Sequence, residues 1–314
     1  MITVRDILVD AERRLTAAGV PSAAADAALI VGFVLERPKS ALYLHDEMSA
    51  EHRLRIERLV TQRSSRIPVQ HLIGEAPFRH LTLSVGPGVF IPRPETELVA
   101  EAIIRSAGGG VVVDLCSGSG AVALAIATEA QGVDVHAVEL SLDAFPWLER
   151  NVAAHADRLS TVGSSVTTYR ADACTAADPG QPLARLAGSV DAVVSNPPYI
   201  PDAMVPRDPE VRDHEPHMAL FAGRDGLDVI RGIARTAAIL LKRGGLLVIE
   251  HADVQGTDAG DRGVPGVLRA MVSDDATATD VDLPVGTPMW IDVNDRPDLN
   301  GLPRFTMARK WSGT

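Results

Sequence analysis

Apolar residues recur at helical spacing between residues 4 and 66. Val4, Ile7, Leu8 and Leu15 form one stripe, and Pro21-Ser22 restarts the chain ahead of an Ala-rich stretch over 23–35. Leu54, Ile56, Leu59 and Val60 form another, with arginines on the opposite face. The pattern predicts a small helical bundle over 1–67. It changes over 68–93, where Gly74, Pro77, Gly86, Pro87 and Gly88 punctuate short apolar pieces such as LTLSV, which predicts a hairpin linker. Pro92 and Pro94 lead into a predicted helix over 95–105, and Glu95 and Glu97 suit the positive end of its dipole.

From residue 94 to 314 the pattern predicts a third segment. Strands are expected at 111–115, 133–139, 165–171, 190–195 and 244–250, and helices at 120–130, 142–155 and 225–241. That alternation predicts parallel β-α-β units in an α/β, doubly wound, Rossmann-like sheet. RFTMARKW (304–311) reads as a last strand. The stretch 252–300 is rich in Gly, Pro and Asp and yields no assignment. No internal repeat is visible.

Charge narrows the function classes. The chain of 314 residues carries 30 Lys and Arg against 41 Asp and Glu, a net −11. Residues 1–90 hold 11 basic and 10 acidic side chains, so residues 91–314 hold the other 19 and 31, a balance of −12. A nucleic-acid binder needs a positive surface, and the larger segment offers none in bulk. The two cysteines, Cys116 and Cys174, are far apart, which argues against a disulfide scaffold or a Cys-type zinc site and fits a reducing cytosol. The longest apolar run, Ala27 to Leu35, spans nine residues, too few to cross a bilayer, and charges near the start break any signal-peptide core. The expectation is a cytoplasmic protein with no membrane partner.

The first chemical candidate is Asp114-Leu115-Cys116-Ser117-Gly118-Ser119-Gly120, at a strand-to-helix turn. Gly118 and Gly120 let backbone approach a ligand closely. Glu139 closes the next strand, where a carboxylate can accept from both hydroxyls of a ribose. The turn is neither a G-x-G-x-x-G fingerprint, since residue 123 is Ala, nor a P-loop, since no Gly-Lys-Ser/Thr follows. A Gly-rich turn alone can be only a tight turn; Glu139 tips the reading toward a ligand. Asp172 and Asn196 close two further strands, so four polar residues are expected at the carboxyl edge of the sheet. Singly, Asp172 can cap a turn and Asn196 can start one.

The second candidate is Asn196-Pro197-Pro198-Tyr199, directly after the apolar strand VDAVVS. Two prolines stiffen the backbone and remove two N–H donors. The Asn196 amide and the Pro197 carbonyl can then both act as acceptors, and Tyr199 can stack on a flat guest. A planar group bearing –NH2 fits this set. The plainer possibility is a Pro-rich turn, which Pro-Pro alone would suggest.

With these residues in view the chain resembles a class I S-adenosylmethionine-dependent methyltransferase of the amino-group-modifying kind, through VVVDLCSGSGAVALAIA, VHAVELS and VVSNPPYIP. PVQHLIGEAPFRHLTLSVGPGVFIPRPETELV, EPHMALFAGRDGLDVIRGI, LLVIEHADVQG and LPRFTMARK are similar to the HemK family, the peptide chain release factor glutamine N5-methyltransferases. Asn-Pro-Pro-Tyr is shared with DNA and RNA amino-methyltransferases, so Ile91–Glu97 and Glu215–Leu227 carry the specificity of the match. The resemblance implies S-adenosyl-L-methionine as cofactor, with Asp114 among the cofactor-binding residues, Cys116, Ser117, Gly118, Ser119 and Gly120 at its methionine end, Glu139 on the ribose, and Asp172 and Ala173 at the adenine. It implies that Asn196 through Tyr199 hold the glutamine amide, Asn196 also adjoining the cofactor. Class I release factors are then the protein partners, recognised through the helical segment 1–67, with no direct nucleic-acid contact. The family commonly has Gly-Thr where this chain has Cys116-Ser117, and an aromatic where it has Ala173.

An amide nitrogen is a poor nucleophile, and the work expected of the enzyme is alignment, worth roughly 7–11 kcal/mol when geometry is near attack. No general base is assigned, because the nitrogen's proton becomes acidic once the methyl is attached. Cys116 has no His partner and is not read as a nucleophile. His214 and His217 beside Glu215 lack a third ligand, so no metal is expected. Two other readings stand: a DNA or RNA amino-methyltransferase that flips a base into the pocket, and a catalytically silent methyltransferase-like binding protein.

Overall fold

The computed structural model describes residues 3–44, 48–106, 109–273 and 285–313. Positions 45–47 of the expected bundle and 274–284 of the unassigned stretch lie outside the described residues. The chain divides into two compact units. One comprises Met1–Glu75, Val85–Pro87 and Val205–Glu215, and the other the remainder. The cuts therefore differ from 1–67, 68–93 and 94–314: most of the hairpin packs with the larger unit, and a segment from late in the chain completes the smaller one.

The smaller unit is helical: α1 (Val4–Ala17), α2 (Ala23–Leu35), α3 (Ala50–Ser64), α4 (Val69–Ile73) and α9 (Pro209–His214). α1 begins where Thr3 Oγ1 accepts from Asp6 N–H (3.2 Å) and the Asp6 carboxylate accepts from Thr3 N–H (2.9 Å), a reciprocal cap. Leu8, Leu15, Ile30, Val31, Ile56 and Val60 make its core. One arginine of α3 departs from the expected outward face. Arg63 is buried because α2 buries Asp26, and a buried carboxylate needs a partner. Its Nε donates to Asp26 at 2.7 Å and another guanidinium nitrogen lies 2.7 Å from Glu210 of α9. Arg66 makes a two-pronged pair with the same Glu210, at 2.7 and 2.6 Å. The Glu210 carboxyl is held down to about 2, burial opposing and the two arginines prevailing.

In the larger unit the hairpin β1 (Glu75–Phe78) and β2 (Leu81–Ser84) alternates exposed and buried residues. Phe78 and Leu83 enter the core, so these residues are packed rather than a loose connection. Arg79 at its tip pairs with Glu129 (2.7 Å) and Glu101 (2.6 Å).

The main sheet contains β3 (Gly110–Leu115), β4 (Val133–Glu139), β5 (Ser165–Arg170), β6 (Val190–Ser195), β7 (Leu241–Glu250), β8 (Trp290–Pro297) and β9 (Pro303–Lys310). The strand order is β5-β4-β3-β6-β7-β9-β8. The first five are parallel, and β9 and β8 add an antiparallel edge. Chain order reverses between β3 and β6, which opens a crevice at their carboxyl ends. Helices cover both faces: α5 (Glu97–Ser106), α6 (Ala121–Glu129), α7 (Phe145–Ala154) and α8 (Ala156–Thr161) on one, α10 (Asp228–Leu240) and α11 (Val264–Ala270) on the other. Two-sided cover explains the near-continuous apolar runs of β3 and β6.

Three expected boundaries move for local reasons. The helix read over 142–155 starts at Phe145, because Pro146 is tolerated only in a first turn, and it breaks at His155 into α7 and α8. The helix read from 225 starts at Asp228, since Gly226 has φ +74° and Asp225 accepts from Leu227 N–H at 3.0 Å. The helix read from 95 opens as a 3-10 turn over Pro94–Thr96 before α5.

Candidate active site

The turn after β3 is held from three sides. Ser117 N–H donates to the Val138 carbonyl (2.9 Å), Gly120 N–H to the Ser117 carbonyl (2.8 Å), and Asn151 Nδ2 to the Ser119 carbonyl (2.9 Å). Its two glycines serve different ends. Gly118 has φ +55°, and no heavy atom lies within 4 Å of where a Cβ would stand, so its outer side is open space. Gly120 has φ +83°, and a Cβ there would lie 2.7 Å from the Leu148 side chain, so this glycine answers to packing. Cys116 has φ +67°, the left-handed region that suits glycine, so the cysteine here holds a backbone conformation that a side chain disfavours. Burial pushes its thiol well above the ordinary value, so the sulfur is a neutral, unreactive group.

Glu139 ends β4 beside this turn. One carboxylate oxygen accepts from Gly118 N–H at 2.8 Å and the other from Ser141 N–H at 2.7 Å. Each oxygen retains a lone pair, so the carboxylate is aimed and still able to accept. Burial raises its pKa above the ordinary carboxylate value, partly offset by the Ser141 and Gly118 amides. Asp114 is sealed from solvent and accepts from Ala123 N–H at 3.1 Å. It secures the start of α6 instead of lining the crevice, and burial lifts its carboxyl to about 7. Asp172 accepts from Cys174 N–H at 2.8 Å, a turn cap, and Ala173 is buried in the apolar layer that includes Leu115 and Val138.

Asn196 follows β6, whose register places Ser195 beside Leu115 of β3, next to the glycine turn. Its Nδ2 donates to Thr96 Oγ1 at 3.1 Å. The prolines that follow are braced from outside the motif. Tyr199 N–H donates to the Leu220 carbonyl (3.2 Å), and Gln255 Nε2 donates to the Tyr199 carbonyl (2.9 Å). A Cβ on Gly226 would stand 2.3 Å from that same carbonyl. The stretch 217–227 and Gln255 thus form the wall behind Asn-Pro-Pro-Tyr. Burial raises the Tyr199 phenol well above its usual value, keeping it neutral.

Three residues that hold this site were not singled out in the sequence: Asn151, Gln255 and Thr96. Asn151 and Gln255 had no legible signal, because helical and loop amides are common. Thr96 lies inside Ile91–Glu97 and so stood in view. Among the described residues no cluster of three His, Cys, Asp or Glu side chains is placed to hold a metal. No helix among them is long and apolar enough to cross a membrane.

Comparison with known proteins gives this arrangement its family. Residues 6–74 match the model of a PrmC N-terminal domain, and residues 81–207 that of a methyltransferase small domain. The chain is 42% identical over 309 residues to the release factor glutamine methyltransferase of Streptomyces coelicolor, covering 96% of each chain. It is 40% identical over 315 residues to that of Mycolicibacterium smegmatis, covering 99% of each. With that of Mycobacterium tuberculosis H37Rv it shares 37% over 312 residues, 99% of this chain and 92% of the other. The residues fit a methyl donor bearing a ribose and a positive sulfur: Gly118 faces open space, and Glu139 has lone pairs to offer and a carboxyl raised by burial, which a cation would relieve. The chain belongs to the family of release factor glutamine methyltransferases and takes its methyl group from S-adenosyl-L-methionine.

Proposed function

We propose that the chain methylates the side-chain amide nitrogen of the glutamine in the Gly-Gly-Gln motif of class I peptide chain release factors. When bound, S-adenosyl-L-methionine supplies a methyl already activated on a sulfonium, whose bonding pair returns to sulfur as the N–CH3 bond forms. Cys116 through Gly120 hold its methionine end, Glu139 accepts from its ribose hydroxyls, and Asp172 with Ala173 flank the adenine. Asp114 serves this site indirectly, by fixing the turn.

The observation that carries the substrate reading is the Asn196 hydrogen bond to Thr96. With Nδ2 committed there, Oδ1 is free to accept, as is the Pro197 carbonyl. Two fixed acceptors hold a primary amide and favour the pyramidal, more positive nitrogen of the transition state over the flat ground state. The neutral Tyr199 ring supplies an apolar face. No residue needs to remove a proton before transfer.

A protein substrate suits the −12 balance of residues 91–314, which repels phosphates and accepts a basic partner. The Gly-Gly of the target lets a loop enter a narrow crevice with little steric penalty. The helical unit contacts the body of the release factor, adding affinity remote from the chemistry. The cytoplasm, where release factors act, is the proposed location. The test is tandem mass spectrometry of the tryptic peptide bearing Gly-Gly-Gln after incubation with enzyme and cofactor. A 14 Da gain on that glutamine (about one CH2) is expected; its absence, or methylation of adenine in DNA or RNA instead, would overturn the reading.

A further inference from the structure

Gln255 lies in the loop after β7 and is almost fully buried, yet neither cofactor nor substrate binding uses it. Both ends of its side-chain amide are committed. Oε1 accepts from Ala252 N–H at 3.1 Å, and Nε2 donates to the Tyr199 carbonyl at 2.9 Å. An N–H can only donate and a carbonyl can only accept, so the amide has one allowed orientation. The Gln255 backbone N–H donates to the Ala252 carbonyl at 2.9 Å, which closes the loop on itself. The loop is also fastened to the edge of the sheet. His251 Nδ1 meets that Ala252 carbonyl at 2.9 Å, its Nε2 meets Thr306 Oγ1 of β9 at 3.0 Å, and Asp295 of β8 accepts from Thr257 N–H at 2.7 Å. Gln255 is therefore a fixed donor, aimed at the chain just past Asn-Pro-Pro.

The two prolines make that restraint matter. Pro197 and Pro198 have no N–H, so Tyr199 is the first residue after Asn196 that can anchor the segment by its amide. Tyr199 N–H and Ile200 N–H both donate to the Leu220 carbonyl, at 3.2 and 2.8 Å. The peptide joining Tyr199 to Ile200 is thus gripped at both ends, its N–H by Leu220 and its C=O by Gln255. The Pro197 carbonyl lies two peptide planes upstream. Each ring fixes its own φ, so once the planes around Tyr199 are held, ψ of Pro198 is the main rotation left between them and that carbonyl. The same planes set where the Tyr199 ring points. We propose that Gln255 is a positioning residue for methyl transfer: by holding the Tyr199 carbonyl it holds the Pro197 carbonyl and the Tyr199 ring where the substrate amide meets them. The proposal rests on the reading that Asn-Pro-Pro-Tyr holds that amide. It also gives a role in the reaction to the stretch after residue 252, where the sequence pattern yields no assignment.

The fixed direction of the amide yields a signature that packing alone would not. In Gln255→Glu, at nearly constant volume, an ionised carboxylate sets an oxygen against the Tyr199 carbonyl and repels it. A protonated carboxyl restores the pattern, its C=O accepting from Ala252 N–H and its O–H donating to Tyr199. The position is buried, so the new carboxyl should titrate above the ordinary value of about 4.3. The neutral form is the competent one, so activity relative to the parent is retained at low pH and lost as pH rises through that titration. The elements that meet this loop carry Asp225, Glu250, His251, Asp253, Asp295 and Tyr199. All six are common to parent and variant, so the ratio of the two rates isolates position 255.

The test measures single-turnover methylation of release factor by the full chain, and cofactor affinity by calorimetry, across a range of pH. Gln255→Ala is expected to lose at least about tenfold in rate with S-adenosylmethionine affinity changed less than about threefold. The Gln255→Glu to parent ratio should fall at least about tenfold between about pH 5.5 and about pH 8.5, with the fold intact by circular dichroism throughout. A Gln255→Ala rate near the parent's, a cofactor affinity that falls in step with the rate, a Gln255→Glu ratio that is flat with pH, or a ratio that falls only where the variant unfolds would each overturn the proposal. If Gln255→Ala does not fold, the Gln255→Glu profile decides. Asn196→Ala separates the two levels: full activity in that variant defeats the substrate reading beneath, whereas its silence beside a fully active Gln255→Ala defeats the positioning role alone.

Discussion

Replacing Glu139 with Gln removes one charge and turns one acceptor oxygen into a donor, at nearly constant volume. The structure makes the consequence calculable. Both carboxylate oxygens face a backbone N–H, from Gly118 and from Ser141, so whichever way the new amide turns, its NH2 meets a donor. The remaining lone pairs are those assigned to the ribose hydroxyls. Each charge-assisted hydrogen bond to such a group contributes about 1.5–3 kcal/mol. One such bond is lost outright and the other keeps only a neutral acceptor, which together cost about 2.5–4.5 kcal/mol, a weakening of cofactor affinity on the order of 10²–10³. Part of the lower figure is returned, because burial already opposes the ionised form that Gln replaces. About a hundredfold is the working expectation. Isothermal titration calorimetry with S-adenosylmethionine measures it, with thermal denaturation of the ligand-free protein as control. An affinity within fivefold of the parent's, in a variant that melts normally, would refute the assignment of Glu139 to the ribose.

Asn196→Ala should lower methyl transfer on the order of 10²–10³ in a folded protein, read by mass spectrometry of the release-factor peptide; turnover near the parent's would remove the motif from the chemistry. Arg63→Met should destabilise the protein by about 3–5 kcal/mol, because Asp26 is left charged and buried, and Asp26→Asn in the same chain should recover much of that; denaturant titration of the three variants checks it. Glu250→Gln should stabilise the fold at pH 8 and not at pH 5. A carboxyl raised from 4.5 to about 7 in the folded state binds its proton longer than in the unfolded chain, so stability falls as pH rises through that window, by about 3 kcal/mol once complete. A melting temperature that responds equally at the two pH values would count against it. Glu210 has the opposite sign: its depressed carboxyl lends stability above the ordinary value of 4.5 that is lost as pH falls toward about 2, so Glu210→Gln should flatten the acid side of the stability profile in a pH-resolved melting series.

The strands were legible where both faces are covered. β4 and β6 occupy the residues their apolar runs indicate, because burial on two sides leaves no polar alternation to blur the ends. β8 was not legible for the converse reason. It is an edge strand carrying Asp292, Asn294, Asp295 and Arg296, with register shifts, and its polar face reads as loop. The candidate site divides likewise. Residues at strand ends, Glu139 and Asn196, could be read from position alone. Asp114 shares that position but points into the protein, and no spacing rule distinguishes an aspartate that meets a ligand from one that meets an amide. Arg63 was hidden by its own stripe, since its burial is set by Asp26 in another helix.

Glu210 has a consequence for how this chain can be cut and exchanged. The helical unit is completed by Val205–Glu215, and both Arg63 and Arg66 pair with Glu210 there. A truncation that removes only the amino-terminal helices strands Glu210 without its cations. A chimera that replaces those helices at one junction replaces Arg63 and Arg66 while leaving Glu210 behind. The unit is transferable only with residues 85–87 and 205–215 carried along, and any test of what the helices recognise is cleaner by surface substitution than by deletion.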